Sequence, residues 1–373
     1  MKPRVSIIKC DNYETDLVES SIRRSIDLIG GIQSFIKPSS RVLVKPNLLM
    51  AKGPEFGITT HPEVVRAVIR ILKEINCQVF LGDGPSVWGN QIEDVDAVYR
   101  ISGIFKVCEE EGATLVKFDK RRMRKYFPLT TWLDDCDSIV NLSKFKTHEF
   151  TLLTGAIKNL FGLVSGTYKT ELHKNFSDIN DFSRMLVDIL EEVRPSLTIV
   201  DGILALEGNG PATSGKVRKL GLVIAGQDCV AIDTIMAKII GIQPQDVVST
   251  KEAALRKLGV CEINSIDILG ERLENVMEQS FILPSTSLAR RKIPRFVINI
   301  IKKLIKYYPV PIYERCIKCF ACIKICPNKC ITMSKKGIVY DYKKCIACFC
   351  CQETCPEAAI KLRKSIFAKF LGL

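Results

Sequence analysis

Residues 315–330 read RCIKCFACIKICPNKC and residues 344–359 read KCIACFCCQETCPEAA, and the C-terminal part is organised around these two runs. In each run, two residues separate the first three cysteines, three residues precede a fourth cysteine, and a proline follows it. The second run repeats the first after 29 residues. Because proline cannot continue regular backbone hydrogen bonding, each run is expected to end where the chain turns back.

This spacing resembles that of bacterial ferredoxins, in which three cysteines of a run hold one [4Fe-4S] cluster and the fourth ligates the other cluster. Carried over to this sequence, the resemblance assigns four cysteines to each of two [4Fe-4S] clusters. One set is Cys316, Cys319, Cys322 and Cys355, and the other is Cys345, Cys348, Cys351 and Cys326. Residues 313–373 are therefore expected to form a small α+β ferredoxin-like domain that binds both clusters.

A zinc ribbon is the alternative interpretation, since paired Cys-x2-Cys runs also bind zinc. Two complete runs that each end in Cys-Pro favour clusters over zinc. A disulfide framework is disfavoured because nothing in the sequence points to secretion. Aligning the two runs places Cys350 opposite Ala321 and Cys330 opposite Ala359, so we interpret these two cysteines as packing residues rather than ligands.

The net charge of +13 is unevenly distributed along the 373 residues. Residues 288–373 contain 19 Lys and Arg against four acidic residues, whereas the rest of the chain contains 35 basic and 37 acidic residues. A solvated basic face is favoured over nucleic-acid binding as the interpretation of this region. The start of the chain lacks an apolar run typical of a signal peptide, and no segment reaches the roughly 18 apolar residues of a membrane span. Together with oxygen-labile clusters, these features predict a cytoplasmic location.

Residues 1–285 alternate short apolar runs with amphipathic helical patterns, which predicts an α/β domain with a mainly parallel sheet. Strands are predicted at 41–44, 78–81, 114–118, 137–141, 197–200, 220–225 and 265–269. A capping box formed by Thr60 and Glu63 predicts the start of a helix. Residues 286–312 are predicted to form a basic linker with a helix over 296–308. That helix could lie on an anionic membrane, but packing against the large domain is the favoured interpretation.

Polar residues of the large domain follow the predicted strands, where open α/β sheets bind ligands. Lysines in such loops, close to helix N-termini, would form a pocket for a carboxylate or phosphate. The glycine-rich loop after residue 206 suggests a backbone nest for an anion. Candidate catalytic residues are Lys45, Asp83, Lys144 and His148, and candidate substrate-binding residues are Asn47, His61, Lys146, Lys158, Asn159, Asp201, Gly208 and Gly210. Taken singly, an aspartate at a strand end is explained equally well as a helix cap. A single histidine in a polar segment is likewise explained as an exposed surface residue.

Several motifs of the large domain resemble those of a known family. They are VLVKPNLL, TTHPEVVRAVIRILKE, LGDGPS, NLSKFKTHEF, TGAIKNLFGLVSG, VDGILALEGNGPA and GLVIAGQDCVAID. The resemblance is to an uncharacterised iron–sulfur centre family whose large domain is called domain of unknown function 362. It implies that such an α/β domain is paired with a dicluster module and that the motif positions are candidate site residues, but it brings no substrate.

These features together predict an electron-transfer module fused to a substrate-binding domain. We expect a reductase in which two [4Fe-4S] clusters exchange electrons with a small anionic substrate. A redox partner protein is expected to exchange electrons with the clusters. Two alternatives stay open at this point. One is a non-enzymatic ferredoxin-like electron carrier or adaptor, and the other is a redox-sensing regulator that binds nucleic acid through the basic region.

Overall fold

The structure, a computed structural model, describes residues 2–85, 92–164, 168–286, 307–335 and 337–365. Up to residue 286 the strands are β1 (Arg4–Lys9), β2 (Arg41–Lys45), β3 (Gln78–Leu81), β4 (Thr114–Leu115), β5 (Arg121–Arg124), β6 (Phe127–Thr130), β7 (Ser138–His148), β8 (Leu152–Thr154), β9 (Leu197–Gly208), β10 (Gly215–Gly226) and β11 (Asp267–Gly270). The helices are α1 (Thr15–Leu28), α2 (Pro62–Glu74), α3 (Ile92–Ile101), α4 (Ile104–Glu111), α5 (Trp132–Asp135), α6 (Ala156–Asn159), α7 (Tyr168–Asn175), α8 (Ile179–Val193), α9 (Cys229–Ile239), α10 (Val248–Leu255) and α11 (Leu273–Val276).

Nine of the described strands form one mixed sheet in the order β11-β1-β10-β9-β7-β2-β3-β4, with β8 paired to β7. The run from β9 through β7, β2 and β3 to β4 is parallel throughout, and β11 is parallel to β1. Strand β10 is antiparallel to both of its neighbours, and β8 is antiparallel to β7. The prediction of an α/β domain with a mainly parallel sheet is therefore confirmed.

Hydrophobic layers cover both faces of this sheet, as a parallel sheet requires. Side chains along a strand alternate between the faces. In β2, Leu43 packs into the layer formed with α8 and α9, whereas Val42 and Val44 pack into the layer formed with α1 and α2. Because helices cover both faces, ligands can approach this sheet only at its edges and strand ends.

Two strands run further than the sequence predicts, and this moves several candidate site residues out of loops. Strand β7 continues past residue 141 to His148, and β9 continues past residue 200 to Gly208. Lys144 and Lys146 of β7 are polar but buried in the protein interior. The alternation of apolar residues that predicts a strand is therefore missing from this part of the sequence. The predicted capping box is also wrong by one residue. His61 caps α2, while the Thr60 hydroxyl donates to Leu142 O at 2.9 Å.

The C-terminal part consists of two copies of a strand–helix–strand unit. The first copy is β12 (Tyr307–Pro311), α12 (Ala321–Ile325) and β13 (Ile331–Ser334), and the second is β14 (Gly337–Tyr340), α13 (Cys350–Glu353) and β15 (Ile360–Lys364). Strand β13 pairs with β14, and β12 pairs with β15.

The backbone of the C-terminal part repeats every 29 residues, as the sequence predicts. Left-handed backbone conformations, which are uncommon outside glycine, occur in the first copy and again 29 residues later. The residues concerned are Lys318, Phe320 and Lys329 in the first copy and Ala347, Phe349 and Ala358 in the second.

The predicted linker helix at 296–308 lies outside the described residues except for its last two positions. Tyr307 and Tyr308 begin strand β12 instead, so the helix prediction is wrong at this end. The reason is local, because a residue that precedes proline, as Tyr308 precedes Pro309, is disfavoured in the helical conformation. Over the described ranges, no helix combines the length and the apolar character needed to cross a membrane.

Candidate functional site

A group of lysines lies at the carboxyl edge of the parallel strands. Lys45 ends β2, Asp83 follows β3, and Lys146 lies in the extended part of β7. The short helix α6 brings Lys158 and Asn159 to the same place. We call this group, together with His148 and Lys169, the lysine site.

Lys45 is fully buried and held in one position by its partners. Its Nζ lies 2.9 Å from Asp83 Oδ1 and donates to Pro46 O at 2.9 Å and to Asn159 Oδ1 at 3.2 Å. Burial lowers the pKa of Lys45, and the charge of Asp83 opposes that shift. A Cβ on Gly162 would lie 2.0 Å from Asp83 Oδ1 and 2.5 Å from Lys45 Nζ, so this ion pair needs glycine beside it.

Asparagine side chains connect Lys45 to Lys146. Asn47 Nδ2 donates to Asn159 Oδ1 at 2.8 Å, and Asn159 Nδ2 donates to Asn141 Oδ1 at 2.8 Å. Lys146 Nζ donates to Asn47 Oδ1 at 2.7 Å and to Ile58 O at 2.8 Å. Burial lowers the pKa of Lys146 well below its ordinary value, and the nearby charge of Lys158 lowers it further. The predicted substrate-binding residues Asn47 and Asn159 thus orient two lysines.

Lys158 differs from these lysines because it lacks a fixed partner. It is half-buried, and its ammonium makes no hydrogen bond or ion pair with the other described residues. Burial lowers its pKa, whereas the charge of Glu353 raises it. Helix α6, which carries Lys158, is held by Asp233, whose carboxylate accepts the N–H groups of Ala156 and Ile157 at 2.6 and 3.2 Å. Lys158 is therefore the lysine of this site that is free to bind an anion.

Glu353 reaches the lysine site from the C-terminal part of the chain. Its Oε1 lies 3.3 Å from His148 Nε2, and neither atom makes a well-aligned hydrogen bond among the described residues. His148 Nδ1 accepts the N–H groups of Phe150 and Thr151 at 3.1 and 3.4 Å, so the neutral ring carries its proton on Nε2. Burial raises the pKa of Glu353, and the charges of Lys158 and Lys146 oppose that shift.

Sequence reasoning missed Glu353. Its position in the repeat could have identified it, because the second copy has this acidic residue where the first copy has Lys324.

Three further contacts fix the cysteine-rich part beside the lysine site. The rings of Phe349 and Phe150 meet edge to face with 6.4 Å between their centroids. The Thr213 hydroxyl donates to Cys355 O at 2.6 Å. Lys52 Nζ lies 3.9 Å from Glu357 Oε1.

Lys144, Asp201 and His61 form a separate and closed network. Lys144 Nζ lies 2.8 Å from Asp201 Oδ2 and donates to the Tyr13 hydroxyl at 2.9 Å, and that hydroxyl donates to Asp201 Oδ1 at 2.7 Å. His61 stacks on Tyr13 with 3.5 Å between the ring centroids. Burial lowers the pKa of His61 to about 4. Because the charges of Lys144 and Asp201 satisfy each other, this arrangement favours a structural role over the catalytic role predicted for Lys144.

The two predicted glycines pack against β7 rather than forming a nest that opens on the lysine site. Gly208 has a φ of 75°, and its carbonyl accepts the Thr147 hydroxyl at 2.8 Å. A Cβ on Gly210 would lie 2.3 Å from Thr147 O. Both glycines therefore allow close contact between chain segments, and the substrate-binding role predicted for them finds no support in their placement.

Helix α7 adds two further buried groups, one lysine and one histidine. Lys169 Nζ donates to Gly84 O, and burial lowers its pKa to about 8, with Asp83 opposing the shift. His173 stacks on Phe182 with 4.6 Å between centroids, and burial lowers its pKa to about 3.

The eight predicted cluster ligands separate into two cavities. Cys316, Cys319, Cys322 and Cys355 line one cavity, and Cys326, Cys345, Cys348 and Cys351 line the other. The two cavities are similar in size. Cys330 and Cys350 also line the second cavity. Within the part of the chain that the structure describes, no three His, Cys, Asp or Glu side chains converge on a point suited to a single metal ion.

The fourth cysteine of each run accepts a hydrogen bond at the same position of the repeat. Ala359 N–H donates to Cys355 Sγ at 3.2 Å, and Cys330 N–H donates to Cys326 Sγ at 3.3 Å. Such donors stabilise thiolate ligands of iron–sulfur clusters. These sulfur environments and the matched cavities fit the predicted ligand sets.

Comparisons with known proteins concern mainly the large domain. The family described as "Domain of unknown function (DUF362)" matches residues 42–238. The thylakoid-associated protein sll1697 of Synechocystis sp. is 33% identical over 267 residues, which cover 70% of this chain and 81% of that protein. Among solved structures, the lactate racemase apoprotein from Thermoanaerobacterium thermosaccharolyticum has 12% identity and a TM-score of 0.39. That match covers 61% of this chain and 55% of the racemase chain, and a likeness this weak carries no functional argument.

Proposed function

This chain belongs to the DUF362 family, and we propose that it is an iron–sulfur reductase. Two [4Fe-4S] clusters held by a C-terminal ferredoxin-like domain exchange electrons with a small anionic substrate bound in the α/β domain. The ligands of the clusters are the two cysteine sets that line the two cavities. When bound, the clusters would supply single electrons at potentials between about −700 and +450 mV.

One observation carries this proposal, namely the contact between His148 and Glu353. Glu353 lies two residues after Cys351 and two residues before Cys355, so it stands between ligands of both proposed clusters. Its carboxylate reaches to 3.3 Å from His148 in the lysine site. A free ferredoxin has no need of such a contact, whereas a reductase needs its electron donor beside its substrate.

The charge of the lysine site supports an anionic substrate. Four ammonium groups, from Lys45, Lys146, Lys158 and Lys169, meet the carboxylates of Asp83 and Glu353 there. Lys45 and Lys146 are fixed by neighbouring oxygens, so they supply charge and position other groups. Lys158 and the Nε2–H of His148 can contact the substrate, and Glu353 is itself a carboxylate placed against them.

Iron and sulfide analysis of anaerobically prepared protein tests the proposal. We expect about eight iron atoms and about eight acid-labile sulfides per chain. Serine at both Cys345 and Cys348 should lower both contents, whereas serine at Cys136, outside both cavities, should change neither. One zinc ion with no labile sulfide would contradict the proposal and favour the zinc ribbon.

We further propose that the protein works in the cytoplasm, and contact with a membrane surface is the second candidate. The name of the Synechocystis relative refers to thylakoid association, and the net positive charge of this chain is concentrated in its C-terminal part. Cosedimentation with vesicles of anionic and of neutral lipids separates the two. Binding to anionic vesicles alone, weakened by salt, would support surface association.

A further inference from the structure

The two copies of the C-terminal unit differ in what covers them. In the second copy Phe349 is only 6% exposed, because it packs on Phe150 of the large domain. Its equivalent in the first copy, Phe320, is 47% exposed, and the neighbouring Ile317 is 62% exposed. Cys319 is likewise exposed, whereas its equivalent Cys348 is buried. One of the two cysteine cavities therefore has an open apolar rim.

Basic residues accompany this apolar rim. Arg315 and Lys318 flank Cys316 and are exposed, and Lys324 is exposed one helical turn beyond Phe320, to which its N–H donates at 3.1 Å. We call the surface formed by Arg315, Ile317, Lys318, Phe320 and Lys324 the open face.

The positions on the open face have counterparts that already form an interface. Phe349 and Glu353 bind the large domain in the second copy, and Phe320 and Lys324 are their counterparts in the first. The apolar residue is the same at both places, but the charge is reversed. Glu353 faces lysines, so by the same geometry Lys324 fits a partner that presents acidic residues.

We propose that the open face docks an acidic one-electron carrier protein, which contacts Ile317 and Phe320 beside Cys319. This inference rests on the proposed function, because it names the route by which electrons enter. An apolar centre with a charged rim is the common anatomy of a transient interface, and opposite charge accelerates the encounter. One electron leaves the reduced cofactor of the carrier and one cluster gains it, without bond formation or proton transfer.

A second basic surface provides the matched control. Lys174, Lys329, Lys343 and Lys344 line a shallow depression beside Cys345. Lys344 Nζ lies 3.6 Å from Asp341, and Ile346 in this depression is less exposed than its equivalent Ile317. Charge reversal at Lys343 and Lys344 changes the net charge as much as reversal at Arg315 and Lys324 does.

The probe is a flavodoxin with a strongly acidic surface, in its hydroquinone form. Its dissociation constant for the full anaerobic protein is measured by biolayer interferometry at several salt concentrations. The rate at which it bleaches the cluster absorbance is measured by stopped flow. We expect R315E with K324E to weaken binding and slow reduction at least about tenfold at low salt. K343E with K344E should change either quantity by less than about threefold, and F320S should weaken binding at every salt concentration.

Dithionite, a small reductant, separates failure of this inference from failure of the proposed function. If dithionite bleaches no cluster in the unaltered protein, the proposed function fails. If dithionite reduces all variants equally and the two double variants bind flavodoxin alike, the open face is not the docking site. A larger effect of K343E with K344E would place docking beside Cys345 and overturn the inference as well.

Discussion

The lysines of the site differ in how much their charge contributes to the stability of the fold. Lys45 is paired with Asp83 at 2.9 Å, whereas Lys158 makes no ion pair and feels the charge of Glu353 only from a greater distance. Removing one member of a buried pair leaves an uncompensated charge, which costs about 3–5 kcal/mol. Removing a lysine that makes no ion pair costs much less, because no partner is left without its counter-charge at close range.

Methionine substitutions at these two lysines should therefore have unequal effects on stability. We expect Lys45→Met to lower the free energy of unfolding by about 3–5 kcal/mol. Lys158→Met should lower it by at most about 1 kcal/mol, because no ion pair is broken. Urea unfolding at pH 7, with Lys174→Met as the exposed control, measures both. Equal losses for the two variants would show that Lys158 is a structural residue.

His173 makes stability depend on pH. Its pKa is lowered to about 3 by burial and by the charges of Lys158 and Lys169. The unfolded chain therefore binds a proton near pH 6.5 that the folded chain binds only near pH 3. This contribution is fully present above pH 6.5 and is lost as the pH falls, by about 1.4 kcal/mol per pH unit.

His173→Phe keeps an aromatic ring against Phe182 and removes that proton. Between pH 6 and pH 4 the free energy of unfolding of the variant should fall less steeply than that of the unaltered protein. The difference in slope should be about 1.4 kcal/mol per pH unit, which corresponds to one proton. Urea unfolding at a series of pH values measures the slope. Identical slopes would mean that His173 is protonated in the folded state.

Pairings between residues were the part of the site that sequence could not supply. The strand-end pattern placed Lys45, Asn47 and Asp83 after neighbouring strands, and in the structure they lie close together because parallel strands share an edge. It could not show that Lys144 pairs with Asp201, since that contact depends on the register between β7 and β9. The register is set by contacts distant in sequence, which local periodicity does not encode.

At the scale of elements, helix α13 joins the cysteine-rich part to the large domain. It is only four residues long, so its placement depends on contacts rather than on its own stability. Phe349 packs beside it, and Glu353 ends it in the lysine site. The sequence predicted the repeat that contains α13 but not which copy faces the large domain.

Glu353→Lys should release this helix, because the new ammonium would meet Lys146 and Lys158 without compensation. We expect faster hydrogen exchange in residues 350–353 and in the second half of β7. Lys324→Glu, the mirror change in the first copy, should leave exchange in both segments unchanged. If both variants exchange alike, α13 is not held by Glu353.

At the scale of the whole molecule, the class of fold was predictable and the details of the sheet were not. Alternating strand and helix patterns predicted the parallel core. They did not reveal that β10 runs antiparallel between β1 and β9. The apolar pattern of a strand is the same whichever direction the strand runs in the sheet. The approach of the two cysteine cavities to the lysine site likewise appears only when both parts are folded together.

A potentiometric titration followed by electron paramagnetic resonance, with and without phosphate as the anion, tests whether the clusters and the lysine site are coupled. The proposal predicts signals of two reduced [4Fe-4S] clusters in the unaltered protein. Phosphate bound at Lys158 should shift one midpoint potential to more negative values, because a nearby anion disfavours the added electron. In Lys158→Met this shift should vanish while both signals remain. Absence of [4Fe-4S] signals, or an equal shift in both proteins, would mean that the protein is not a reductase of this kind.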